Sequence, residues 1–136
     1  MTSYSKPLPI MHDEVTRKYW EGCRNGKLLL QKCQDCGTYQ TFPRNLCYKC
    51  HLQKLNWVDS SGRGTVYSFS IVYRPPMEEF APDVPYVVAI VELEEGVRMM
   101  TNIVGCAPDD VTIGMKVQVV FDRVTEEVAL PKFRPV

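Results

Sequence analysis

The 136-residue chain has no apolar run near the roughly 20 residues that a membrane-crossing helix needs, and no basic segment leading into an apolar core at its start. The expectation is a cytosolic protein without membrane contact, in a compartment where thiols stay reduced. Histidine is scarce: His12 and His51 are the only two, and neither stands in a nucleophile–base pattern. No Gly-x-Gly-x-x-Gly or phosphate-loop motif is present. Glu94-Glu95 and Glu126-Glu127 look like paired carboxylates but fall where turns are expected, and they read as solvated loop ends. Catalysis by this chain alone is not expected. Net charge is also missing, which argues against a coat for nucleic acid. The zero conceals an asymmetry: residues 1–58 hold nine Lys/Arg against four Asp/Glu, and residues 59–136 hold seven against twelve. The halves therefore carry +5 and −5, which suits attraction between two modules or a basic face for an acidic partner.

The strongest positive signal is cysteine. In a reducing compartment closely spaced cysteines are metal ligands more often than disulfides. Cys33-x2-Cys36-x10-Cys47-x2-Cys50 forms two knuckles, each able to aim two sulfurs at one point, and together they make the tetrahedral four-thiolate set that zinc prefers. Gly37 follows the second cysteine, where a left-handed backbone turn is useful. Iron takes the same four-sulfur geometry. A redox dithiol normally appears as one pair at the start of a helix, and neither pair here has that setting. Four protein ligands leave no open coordination position, so the metal should hold the fold and do no chemistry. Cys23 and Cys106 lie outside the pattern and read as small buried hydrophobes.

Residues 1–10 contain Pro7 and Pro9 and no periodicity, which suggests an extended arm. From Asp13 the spacing of Val15, Tyr19, Trp20 and Cys23 predicts a short amphipathic helix stopped by Asn25-Gly26. Leu28-Leu29-Leu30 should be a strand entering the metal knuckle, and residues 33–50 have too little apolar content to fold without a metal. Beyond Asp59-Ser60-Ser61-Gly62 the chain reads as β-structure, with Gly62-Arg63-Gly64 as a turn. Tyr67, Phe69, Ile71 and Tyr73 share one face of a strand. Val87 to Leu93 and Val97 to Ile103 form a hairpin about Glu94-Glu95-Gly96, and Val117, Val119 and Phe121 mark a fourth strand after Gly114. Residues 126–133 give an irregular fifth strand limited by Pro131. Five short strands with one long connection, Arg74 to Pro85, fit a closed barrel of the oligonucleotide/oligosaccharide-binding (OB) type. The expected division is an arm and helix over 1–27, a zinc ribbon over 28–58 and an OB-fold over 59–136, a mainly β protein.

The order of these parts is itself specific: Gly26-Lys27-Leu28, Cys33-x2-Cys36-Gly37, Phe42-Pro43-Arg44, Cys47-x2-Cys50, Trp57, Gly62-Arg63-Gly64-Thr65-Val66, Pro85-Tyr86, Val91-Glu92-Leu93-x-x-Gly96, Ile113-Gly114-Met115-x-Val117 and Pro131-x-Phe133. It resembles the DUF35 family of small acyl-CoA-associated proteins, in which a rubredoxin-like zinc ribbon precedes an OB-fold, and the likeness covers nearly the whole chain. One departure is His51 after the second knuckle, where Pro or Gly is frequent. The resemblance implies a non-catalytic auxiliary subunit of a thiolase or thiolase-like aldolase, which helps assembly and helps bind CoA or acyl-CoA jointly with its partner. The partner would supply the catalytic cysteine and histidines. On that reading Lys32, Arg44, Arg63 and Arg74 are candidates for CoA phosphates, with Tyr67, Phe69 and Tyr73 for stacking. The plainer reading makes the cations surface residues and the aromatics core. Two rivals are a partner of an acyl-CoA hydratase and a module for single-stranded nucleic acid; the −5 charge of the barrel half counts against the second.

Overall fold

Local chemistry fixes the first element. Asp13 caps helix α1 (Glu14–Arg24) by accepting a hydrogen bond from the Thr16 N–H at 2.8 Å, with Glu14 in the first turn and Arg24 in the last. At the other end the N–H of Gly26 donates to Cys23 O and that of Lys27 to Gly22 O, a Schellman stop with Gly26 in the left-handed region. Tyr19 and Cys23 are buried in the shared core, while Val15 and Trp20 are half-buried. The computed structural model describes residues 4–136; Met1, Thr2 and Ser3, the tip of the expected arm, lie outside the described residues. The rest of the arm is tied down by Lys6, which pairs with Asp83 and lies over the rings of Tyr4 and Phe80.

The ribbon is a three-stranded antiparallel sheet in the order β2-β1-β3, from β1 (Leu29–Cys33), β2 (Tyr39–Gln40) and β3 (Leu55–Asp59). The expected strand at Leu28–Leu30 starts one residue later and runs into the first cysteine. Both of its partners were invisible in the sequence: β2 has two residues, and β3 is recognisable only through its pairing with all of β1, from Leu29↔Asp59 to Cys33↔Leu55.

Five strands close the barrel in the order β4-β5-β6-β8-β7: β4 (Arg63–Val72), β5 (Tyr86–Leu93), β6 (Arg98–Ile103), β7 (Lys116–Arg123) and β8 (Ala129–Pro135). All neighbours are antiparallel except β6 and β8, which meet in parallel at Ile103↔Phe133 alone. That weak seam is where β8 accommodates Pro131, whose carbonyl accepts from the Thr101 hydroxyl at 3.0 Å.

Two expectations change. Gly62-Arg63-Gly64 is less a turn than the opening of β4: a Cβ on Gly64 would lie 2.5 Å from Glu92 O, so the close approach of β4 to β5 requires glycine. Within β4 the register slips between Val66 and Ser68, a bulge that inserts Tyr67. Val66 is therefore buried, Phe69 and Ile71 pack partly on the core, and Tyr67 and Tyr73 are exposed, so the four-residue apolar face read from strict alternation breaks at both ends.

One core joins the parts. Tyr19 and Cys23 from α1 and Leu28 and Leu30 from the ribbon pack in the same cluster as Val66, Val91, Val117 and Phe133 of the barrel. Each fully buried side chain such as Leu30 or Phe133 contributes about 1.5–3 kcal/mol. The ribbon is thus fastened to the barrel by β1 as well as by the chain. Among the described residues no helix is long and apolar enough to cross a membrane.

Candidate functional site

β1 delivers Cys33 to the first knuckle, and two backbone bonds close the loop: Cys33 N–H donates to Thr38 O, and Gly37 N–H donates to Cys33 O, both at 2.9 Å. The second knuckle repeats the pattern residue for residue, with Cys47 N–H to Leu52 O at 3.0 Å and His51 N–H to Cys47 O at 2.9 Å. The two loops face each other. Cys33 Sγ lies 3.5 Å from Cys50 Sγ and Cys36 Sγ 3.6 Å from Cys47 Sγ, and all four sulfurs fall within 4.8 Å of one another. A disulfide would need about 2 Å. A tetrahedral zinc with Zn–S bonds of about 2.3 Å places its sulfurs about 3.8 Å apart, so both the donor set and its spacing fit. Cys33 and Cys47 are buried, Cys50 is half-buried and Cys36 is exposed. The Thr38 hydroxyl and backbone next to Cys36 hold its thiol down at about 6, favouring the thiolate that a metal needs.

A buried pair of glutamines, unnoticed in the sequence, holds the loop between the knuckles. Gln31 Oε1 accepts from Arg44 N–H and from Gln40 Nε2, and Gln31 Nε2 donates to Arg44 O. Gln40 in turn accepts from Tyr48 N–H and donates to Leu46 O. Glutamines on β1 and β2 thereby place the backbone that carries Cys47. A second latch is made by Glu94 and Glu95, which stand in the expected turn with Glu94 exposed and Glu95 partly covered: Glu95 accepts from the Ser60 hydroxyl and the Ser61 N–H, and Glu94 from the Ser61 hydroxyl. These carboxylates tie the β5–β6 turn to the end of the ribbon.

Between ribbon and barrel lies a cleft of about 590 Å³, with Tyr39, Phe42, Arg44 and Tyr48 on the ribbon side and Glu95 and Arg98 on the barrel side. Of the four cations chosen from sequence, Arg44 lines it and Lys32 adjoins it, its Nζ 5.3 Å from the centre of the Tyr39 ring. Arg63 pairs with Glu94 beside a different groove, and Arg74 lies past the far end of β4, about 30 Å along the strand. The cation that sequence reasoning missed is Arg98. It stacks its guanidinium 3.8 Å from the centre of the bulged Tyr67 ring and is opposite Glu92 across the hairpin. Among the proposed stacking groups Tyr67 is the one so used; Phe69 turns to the core and Tyr73 stands in solvent. Cys23 is fully buried as expected, and its thiol is pushed up to about 12 by burial; Cys106 is only half-buried. His12 and His51 are exposed.

Two family models describe this arrangement: the rubredoxin-like zinc ribbon domain of ChsH2 matches residues 20–55, and the ChsH2 C-terminal OB-fold domain matches residues 57–122. A DUF35 domain-containing scaffold protein of Methanothermobacter thermautotrophicus is 44% identical over 118 residues, which are 86% of this chain and 88% of that one. The chain belongs to the DUF35 family. Other relatives bear the names of enzymes or enzyme subunits. A probable enoyl-CoA hydratase alpha subunit of Thermomonospora curvata is 37% identical over 131 residues, 96% of this chain but 40% of the relative, so the chain spans two fifths of that subunit. A solved structure described as the Ltp2-ChsH2(DUF35) aldolase superposes with a TM-score of 0.83 at 37% identity, covering 94% of this chain and 98% of that one. DUF35 homologues are thus named as scaffold proteins or as parts of enzyme complexes.

Proposed function

We propose that this DUF35 protein is a non-catalytic auxiliary subunit of an acyl-CoA thiolase or thiolase-like aldolase. It would help to assemble the enzyme and would contribute to its binding of CoA. The observation that carries the reading is the end-to-end likeness to the DUF35 component of an aldolase, over 94% of one chain and 98% of the other. The site chemistry is consistent with it. Cys33, Cys36, Cys47 and Cys50 bind one structural zinc that fixes the ribbon, and the closed four-thiolate set leaves the ion no reaction to perform. The ribbon–barrel cleft offers Arg44 and Arg98 for phosphate oxygens and Tyr39, Phe42 and Tyr48 as flat apolar walls, the pairing that a nucleotide-bearing thioester requires. Arg63 and Arg74, far apart and outside the cleft, drop to surface roles in this reading.

A second reading, partnership with an acyl-CoA hydratase, is supported by the probable enoyl-CoA hydratase alpha subunit, to which this chain is 37% identical over 40% of that subunit's length. Mild affinity purification of this chain from its native cells, with identification of what accompanies it, separates the two. A stoichiometric thiolase-like companion supports the first, a hydratase-like companion the second, and recovery with nucleic acid contradicts both.

A further inference from the structure

The two knuckles share a backbone but differ in one side chain. Thr38 and Leu52 hold equivalent positions, each giving its carbonyl to the first cysteine of its own loop, at 2.9 and 3.0 Å. At Thr38 that position also bears a hydroxyl, and Oγ1 lies 3.1 Å from Cys36 Sγ; at Leu52 it bears an apolar group with nothing to donate. Cys36 is moreover the exposed member of the quartet, the sulfur that water and competing chelators reach first. A thiolate there has no proton of its own, so the hydroxyl is the donor.

We propose that Thr38 is a positioning residue of the metal centre, whose hydroxyl donates to the Cys36 thiolate and slows departure of that sulfur from the metal. The Thr38 backbone is pinned by its bond to Cys33 and by the pairing of Tyr39 with Lys32, so the hydroxyl is presented from a fixed support. A donor fixed in this way occupies the lone pair that an incoming proton would use and keeps the sulfur turned toward the metal. The inference rests on the assignment of the four cysteines to a metal, and its test separates the two.

The experiment uses the full chain loaded with zinc or with cobalt. Zinc transfer to a coloured chelator is timed for the wild type, Thr38→Val, Thr38→Ala and Thr38→Ser, and the thiolate-to-cobalt charge-transfer band is recorded for each. Losing the hydroxyl should speed release about tenfold in the Val and Ala variants, whereas Ser should stay within about twofold of wild type. The cobalt band should move to longer wavelength in Val and Ala only, because a sulfur freed of its hydrogen bond gives up charge more easily. A role limited to filling space would spare the Val variant and leave the band in place. Wild-type release and an unshifted band in Thr38→Val overturn the proposal with the metal assignment intact. So does a Ser variant as labile as Val. A wild-type chain that takes up neither metal overturns both.

Discussion

His51 occupies in the second cysteine knuckle the position that Gly37 occupies in the first: each donates its N–H to the cysteine four residues earlier, and each has a positive φ, 65° and 74°. Among the described residues His51 is the one non-glycine in that region. A side chain there costs about 1 kcal/mol against the following carbonyl, and the knuckle geometry, anchored by two ligands, holds it in place.

The first prediction follows directly. His51→Gly should raise the stability of the zinc-loaded protein by about 0.5–1 kcal/mol in urea unfolding, and His51→Val should lower it by about 1–2 kcal/mol. The converse change, Gly37→His, should cost only about 1 kcal/mol, because an added Cβ at Gly37 meets nothing within 4 Å.

Removing the metal should loosen more than the ribbon. Leu28 and Leu30 belong to the barrel's core cluster, so a ribbon without its staple uncovers part of that core. Zinc-stripped protein should unfold at lower urea than loaded protein and regain its midpoint when zinc is restored. Cys47→Ser, at a buried ligand, should abolish stoichiometric zinc retention by elemental analysis.

The glutamine pair offers a change that touches no ligand. Gln31 is 3% and Gln40 6% exposed, and Gln31→Leu would strip partners from the Arg44 backbone and from Gln40. The expected loss is about 2–3 kcal/mol in urea unfolding, with faster zinc release as the loop to Cys47 slackens. Stability unchanged within experimental error would show that the network is incidental.

Alkaline pH probes the helix. Burial pushes the Cys23 thiol from 9.0 up to about 12, and burial, together with Cys23 beside it, raises the Tyr19 phenol above its usual 10.0. Both groups ionise more easily in the unfolded chain. Their contribution is therefore whole below pH 9 and is lost as pH rises from 9 towards 12, at up to about 1.4 kcal/mol per pH unit for each group once its unfolded value is passed. Unfolding measured between pH 8 and 11 should show this decline, and Cys23→Ala should make it shallower.

How much of this was legible beforehand follows from what each signal depends on. The cysteine quartet and the helix were readable because their information is local: cysteine spacing, the helical spacing of Val15, Tyr19, Trp20 and Cys23, an Asn25-Gly26 stop. The barrel strands were found because alternation survives in β5, where every second residue from Val87 to Leu93 is buried. It failed at Tyr67, since a bulge depends on the partner strand and leaves no mark in a single chain's periodicity. The same limit hid β3, the Gln31–Gln40 pair and the Glu95 clamp on Ser60, all made by residues nine or more apart. Arg98 carries no signal of its own in the hairpin pattern. Its place in the cleft exists only once β6 is folded against the ribbon.

The most direct test of the central claim is reconstitution with the proposed thiolase-like partner. CoA-dependent carbon–carbon cleavage is measured for the partner alone, with this chain, and with the Arg44→Glu/Arg98→Glu variant. Little activity is expected without the chain, full activity with it, and a KM for the CoA substrate raised about tenfold or more in the variant, the size expected for loss of the two proposed charge-assisted contacts. A partner equally active and equally saturable with or without this chain would contradict it.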